Sequence, residues 1–121
     1  MVTAESLAIK KLTQKENQAT QAFIQSLLKN LGKQILGMTL FGSKARGDSM
    51  PDSDIDILIL TQDENRNLRR EISFASSDVC MDFDVLINTI VISADRWAEM
   101  TRERFSLCRN VERDGIALFS R

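Results

Sequence analysis

The sequence predicts a small α/β domain, a mixed β-sheet flanked by helices. Three observations lead there. Apolar residues recur at helical spacing in the first 30 positions and again between residues 63 and 75. Two short apolar runs, Ile35–Phe41 and Ile55–Leu60, have strand length and are separated by a glycine-containing loop. Helical and strand patterns then continue to alternate to the C-terminus, the order expected of helices layered on a sheet. At 121 residues the chain has the size of one domain, assigned to residues 1–121.

Ala22, Phe23, Leu27, Leu28 and Leu31 mark the buried side of the first helix, and Gly32 is a suitable C-cap. Ile35–Phe41 reads as a buried strand. The segment from Gly42 to Ser53 carries Gly42, Gly47 and Pro51 and reads as a loop, with a short helix opening near Ser43. Ile55, Ile57 and Ile59 share one face of the second strand. Asp63 is the expected cap of a helix through Leu68, Ile72 and Ala75. The mostly apolar run from Phe83 to Ile92 is expected to be a single strand, with Asn88 as the point where it could be interrupted. Ser93 should cap a helix carrying Trp97 and Met100, with Asp95 in its first turn. A last short helix or turn is expected over residues 111–119.

Composition narrows the chemistry. The chain has 16 Lys and Arg against 17 Asp and Glu, a formal net charge of −1, so bulk charge does not favour nucleic acid or an anionic membrane. No apolar run reaches the roughly 20 residues of a membrane helix. The first residues lack the organisation of a signal peptide, and a cytoplasmic location is expected. There is no His, which removes imidazole acid–base catalysis and leaves oxygen or sulfur as metal ligands. Cys80 and Cys108 are too few for a zinc site. Any metal should therefore be a hard cation such as Mg²⁺ or Mn²⁺ on carboxylates.

Two segments carry chemistry. In Phe41-Gly42-Ser43-Lys44-Ala45-Arg46-Gly47, Gly42 lets the backbone approach a ligand, free N–H groups of a starting helix would face an anion, and the Ser43 hydroxyl adds a donor. Lys44 and Arg46 bring positive charge nearby, and a guanidinium can grip phosphate with two hydrogen bonds. In Asp54-Ile55-Asp56 the two acids fall on one strand face, opposite the isoleucines. Such a pair repels unless a cation lies between them, and paired metals clamp phosphoryl displacements in this way. An EF-hand is excluded because Ile57 stands where its loop needs glycine.

Taken together, Gly42-Ser43, ten intervening residues and Asp54-x-Asp56 before an apolar run resemble the nucleotidyltransferases of the DNA polymerase beta superfamily. The chain is most similar to the minimal nucleotidyltransferases of prokaryotes, often encoded beside a helical HEPN ribonuclease toxin. Leu40 to Gly47 and Asn110 to Ile116 also read like that family. The resemblance implies a polymerase beta-like fold and transfer of AMP, or another nucleoside monophosphate, from ATP to an acceptor hydroxyl. It implies Gly42, Ser43 and Arg46 on the nucleotide, and two Mg²⁺ ions on Asp54, Asp56 and a third acid. Asp82 and Asp84 compete for that third place, and Asp84 is chosen because it directly precedes the apolar run. The expected partner is a HEPN toxin, modified on tyrosine and thereby silenced; self-assembly is a further expectation. The alternatives are an antitoxin acting by contact alone, or an enzyme acting on a small molecule or an RNA end. The chain contains no Tyr, so a tyrosyl adduct would have to sit on another protein.

Overall fold

The computed structural model describes residues 11–48, 50 and 53–121. Helix α1 (Gln14–Leu31) begins with a capping box: Thr13 accepts from the Glu16 backbone N–H, and Glu16 reaches back to the Thr13 N–H. It ends where Gly32 takes φ +49° and its N–H bonds the Leu28 carbonyl. A 3₁₀ turn (Gly32–Gln34) leads into β1 (Ile35–Phe41), and the five-residue helix α2 (Gly42–Arg46) follows directly. Strand β2 (Ile55–Thr61), helix α3 (Arg66–Phe83) and strand β3 (Ile87–Ser93) come next, then helices α4 (Ala94–Arg102) and α5 (Ser106–Asp114) and strand β4 (Ile116–Ser120).

The four strands are ordered β3-β2-β1-β4. β1 is antiparallel to both β2 and β4, while β2 and β3 are parallel, joined through α3 as a parallel pair requires. The mixed sheet and its flanking helices match the expected fold class.

Alternation along β2 decides which layer each residue serves. Ile55, Ile57 and Ile59 face the larger core, with Phe23, Ile24 and Leu27 of α1 and Leu68, Ile72 and Val79 of α3. Leu58 and Leu60 face a smaller core with Ile90, Ile92, Met100, Cys108 and partly buried Trp97. The sheet therefore lies between α1/α3 on one side and α4/α5 on the other. Met100, expected on the helix that Ser93 caps, belongs to this second core. No helix of the described residues is long and apolar enough to cross a membrane.

Four local expectations change. Asn65, not Asp63, caps α3: its side chain accepts from the Leu68 N–H at 3.0 Å, whereas Asp63 offers only its carbonyl, to the Thr61 hydroxyl. The strand expected from Phe83 begins at Ile87. Leu68, Ile72, Val79 and Phe83 continue one helical stripe through residue 83, and Asp84 then stops the helix in the left-handed region at φ 54°. Aspartate tolerates that conformation better than most residues. Thirdly, the short helix or turn expected over residues 111–119 is the end of helix α5 followed by an edge strand; Arg121 ties this end back by donating to the Ile35 and Gly32 carbonyls at 2.7 and 2.6 Å. Lastly, the helix expected across the first 30 residues starts at Gln14, and its part before Lys11 lies outside the described residues.

Gly115 separates α5 from β4 where space is shortest. A Cβ there would collide with the Val111 carbonyl and stand 2.8 Å from Thr39 Cγ2. Gly115→Ala should therefore destabilise the domain by about 1–3 kcal/mol through overpacking. Thermal denaturation measures this, and an unchanged melting temperature would contradict the packing described.

Candidate active site

The loop and the acid pair meet at one end of the sheet. Phe41, the last residue of β1, is paired with Asp56, the second residue of β2. Gly42 comes next with φ +75°, and a Cβ on it would collide with the Asp56 carboxylate. The turn thus needs glycine twice, for its backbone conformation and for the space that Asp56 fills. Asp56 is half-buried and faces the α4/α5 side with Leu58. Asp54 is exposed, one residue ahead of β2, and the alternation of the strand carried back by two positions gives it the same face, about 7 Å away. Ile55 between them is buried and its N–H bonds the Leu86 carbonyl at 2.8 Å, which anchors the start of the strand.

Ser43 is the second residue of α2. Its carbonyl accepts from the Gly47 and Asp48 N–H groups, and Gly47 closes the helix at φ +85°. Arg46 sits a turn further on. It is exposed and paired with Asp48 at 3.2 Å, and its charge also helps to hold the Asp114 carboxyl below the usual range, behind hydrogen bonds from Arg113. Arg46 is thus paired with Asp48 and close enough to α5 to act on Asp114.

Lys44 is the residue whose place the sequence left open. It is 3% exposed, and its Nζ lies 2.6 Å from Glu16 Oε2, itself in a residue 7% exposed. Burial pushes the Glu16 carboxyl up, but hydrogen bonds from Lys44 and the Thr13 backbone outweigh it and hold the group below its ordinary value of 4.5. Lys44 is thus a tie from α2 to the first turn of α1, and Glu16 serves it and the capping box at once. A sequence signal existed: Thr13-x-x-Glu16 is a capping box just ahead of an apolar run.

Asp82 and Asp84 are not brought to Asp56. Asp82 lies in the last turn of α3, and Asp84, its side chain fully exposed, is 3.9 Å from Lys15 of α1. Asp84 lines an open cleft of about 450 Å³ with Thr13, Lys15, Glu16, Ser53, Val85 and Leu86. The residue beside Asp56 on β3 is Asn88, which the sequence reading noted only as a break in the strand; its amide donates to Asp56 Oδ1 at 3.2 Å. Among the described residues no three acidic or sulfur-bearing side chains gather closely enough to hold a metal ion. A carboxylate on β2 and one just ahead of it nevertheless suit Mg²⁺, which commonly takes one or two carboxylates from the protein and the rest of its ligands from substrate phosphates and water.

Known proteins resemble this chain in sequence and in fold. The family model "Polymerase beta, Nucleotidyltransferase" matches residues 22–121. A relative from Methanocaldococcus jannaschii, "Putative protein adenylyltransferase MJ0604", is 32% identical over 109 residues, covering 86% of this chain and 98% of that protein. Among solved structures, a toxin–antitoxin with AMP-PNP has a TM-score of 0.56 at 23% identity, over 82% of this chain and 72% of the other. The tri-AMPylated Shewanella oneidensis HEPN toxin in complex with its MNT antitoxin has a TM-score of 0.50 at 20% identity, over 89% and 74%. At these identities the two structures speak for the fold. The chain belongs to the polymerase beta-type nucleotidyltransferase family, and its activity is nucleotidyl transfer.

Two predictions follow from the geometry around α2. Glu16→Gln keeps an acceptor for Thr13 but leaves Lys44 without a counter-charge, and Lys44→Met leaves Glu16 alone. Each should cost about 3–5 kcal/mol, while the double variant recovers most of the loss, because a buried pair replaced whole is close to neutral. Since the folded carboxyl titrates below the unfolded one, its contribution is complete above about pH 4.5 and disappears as the pH falls through the lowered value. A double-mutant cycle of melting temperatures between pH 3 and 7 measures both effects; equal and additive losses would remove the coupling. Gly42→Ala should lower transfer by at least about 100-fold by displacing Asp56, the scale on which misplacement of about 1 Å acts. Near-native turnover in that variant would mean Asp56 need not lie against this turn.

Proposed function

We propose that this chain transfers AMP from ATP to a hydroxyl on a partner protein, a HEPN toxin, and acts as its antitoxin. The observation that carries this reading is the contact of the Gly42 turn with the Asp56 carboxylate. It joins the two halves of the motif, a phosphate-binding turn and an acid pair, at one sheet end. In this reading the backbone at Gly42 and Ser43, with the Ser43 hydroxyl, holds the triphosphate. Asp54 and Asp56 hold the divalent cation, Mg²⁺ or Mn²⁺, which when bound neutralises phosphate charge and lowers the acceptor's pKa. The acceptor oxygen gives up its proton to water and bonds to the α-phosphorus, the bond from that phosphorus to the bridging oxygen breaks, and pyrophosphate leaves with that oxygen.

Arg46 contributes to the nucleotide only if it releases Asp48. Asp84 contributes only if the turn after α3 moves toward β2, since in the present geometry its neighbour is Lys15. The acceptor proposed is a tyrosine. A phenol, near pKa 10, ionises more readily than an aliphatic hydroxyl, which suits a site with no His to remove the proton. The names of the M. jannaschii relative and of the Shewanella complex support a protein acceptor and a HEPN partner.

The test is intact-mass spectrometry of the chain incubated with Mg²⁺, ATP and the co-expressed partner. AMP-sized increments are expected on the partner and none on this chain, and Asp54→Asn and Asp56→Asn should each abolish them. Increments that persist in both variants would remove the two acids from the metal site. A partner neutralised equally well by Asp56→Asn, with no increment, would favour contact alone.

A further inference from the structure

Asn88 stands where β3 meets the candidate site. β2 and β3 are parallel and Asp56 is the register partner of Asn88, so the two side chains stand next to each other on one face, about 4.8 Å apart in strand spacing. Further along β3, Ile90 and Ile92 lie on that face and belong to the second core. Asparagine is depleted in strands, so an amide here forgoes the packing that an apolar residue gives elsewhere on this face.

The amide is engaged with one group, Asp56. Its nitrogen donates to Oδ1 at 3.2 Å. A carboxylate accepts only, so the NH₂ end must be the one turned toward Asp56. The other carboxylate oxygen, Oδ2, lies against the Gly42 turn. The group is thus bracketed, one oxygen by Asn88 and the other by the backbone that opens α2. Rotation of a carboxylate about its last torsion is otherwise loosely restrained. Asn88 fixes that torsion without adding charge.

We infer that Asn88 is a positioning residue for nucleotidyl transfer, orienting the Asp56 carboxylate toward the Gly42 turn through its donated hydrogen bond. The inference rests on the reading of Asp56 as a metal-binding acid. A neutral donor holds one oxygen in place and leaves the other, with its full charge, for a cation brought in with the nucleotide. It also means that the strand next to the acid pair supplies no base for the acceptor's proton.

The test uses the full chain with Asn88→Ala, Asn88→Asp and Asp56→Asn, reading Mn²⁺ affinity by titration, Mg²⁺-dependent transfer, and melting temperature without metal. Asn88 is exposed, so the metal-free melting temperature of Asn88→Ala should stay close to native. Its Mn²⁺ affinity or turnover should fall by about 10–100-fold, the usual effect of losing a partner that orients a metal ligand, with little change in KM for the nucleotide. Asn88→Asp keeps the size but cannot donate, and should lose turnover as well. If Asn88→Asp matched or exceeded native turnover, the position would be supplying a ligand oxygen, and the positioning role would be overturned. The role also falls if Asn88→Ala is native in both affinity and turnover while Asp56→Asn is dead; the site then stands without it. Full activity in Asp56→Asn would instead overturn the reading of the site on which the inference rests.

Discussion

Lys44 carries its charge into the interior because Glu16 is there to meet it. Both side chains are nearly inaccessible to water, at 4% and 9%, so the pair lies where an uncompensated charge is expensive. What the pair fixes is geometry. α2 has five residues and forms little helix of its own strength, since a helix this short barely recovers the cost of its first turn. Anchored through Lys44 to the capped first turn of α1, and through Ala45 to the larger core, it holds still. Lys11 adds a further hold, donating to the Ala45 carbonyl at 2.8 Å. The Gly42 turn at its start then has one place to go, against Asp56.

The second constraint is the division of β2. Its isoleucines belong to one core and its leucines to the other, so a single-residue slip would exchange the two faces and bury the acids. That strictness keeps Asp56 at the rim of the α4/α5 side. It also shows why the site lies at a sheet end rather than in the cleft of about 450 Å³ near Asp84, which opens beside α1. The cleft is bounded by the α1 cap and the turn after α3, whereas the acids follow the strand that carries them.

Much of this was legible in the residues. The alternation of Asp54, Ile55, Asp56 and Ile57 gave the strand and its faces, and Gly42-Ser43 gave the turn, because both depend on local periodicity and backbone freedom. The end of α3 was misread for an equally local reason. Phe83, Val85 and Ile87 alternate like a strand, while the stripe Leu68, Ile72, Val79, Phe83 that extends the helix spans 16 residues. The fate of Lys44 was hidden because its partner lies 28 positions away on another element, so only the fold brings the two together. The meaning of Asn88 was overlooked on the same ground: it comes from strand register with Asp56, 32 residues earlier. The edge strand β4 is five residues long and follows a helix directly, which left too short a pattern to read.

Under the proposed reading, charge at the site bears on the choice of acceptor. Two carboxylates and a neutral amide can balance a divalent cation, but the chain has no His, and among the described residues no third acid gathers with them to take up a proton. An aliphatic hydroxyl offered to such a site would have to lose a proton of very high pKa with no side chain assigned to receive it. A phenol starts several units lower, near 10, and a cation beside its oxygen reduces the remaining gap. The chain contains no Tyr, so such a phenol has to arrive on another molecule. Its binding surface would then be completed by that partner, which is compatible with a domain whose apolar residues are largely committed to two internal cores. Among the described residues, the large apolar side chains left exposed are Met50, Phe74, Met81, Leu86 and Phe105, three of them on α3 and the turn after it. In the proposed reading a protein acceptor brings both an acidic hydroxyl and the surface that holds it in place.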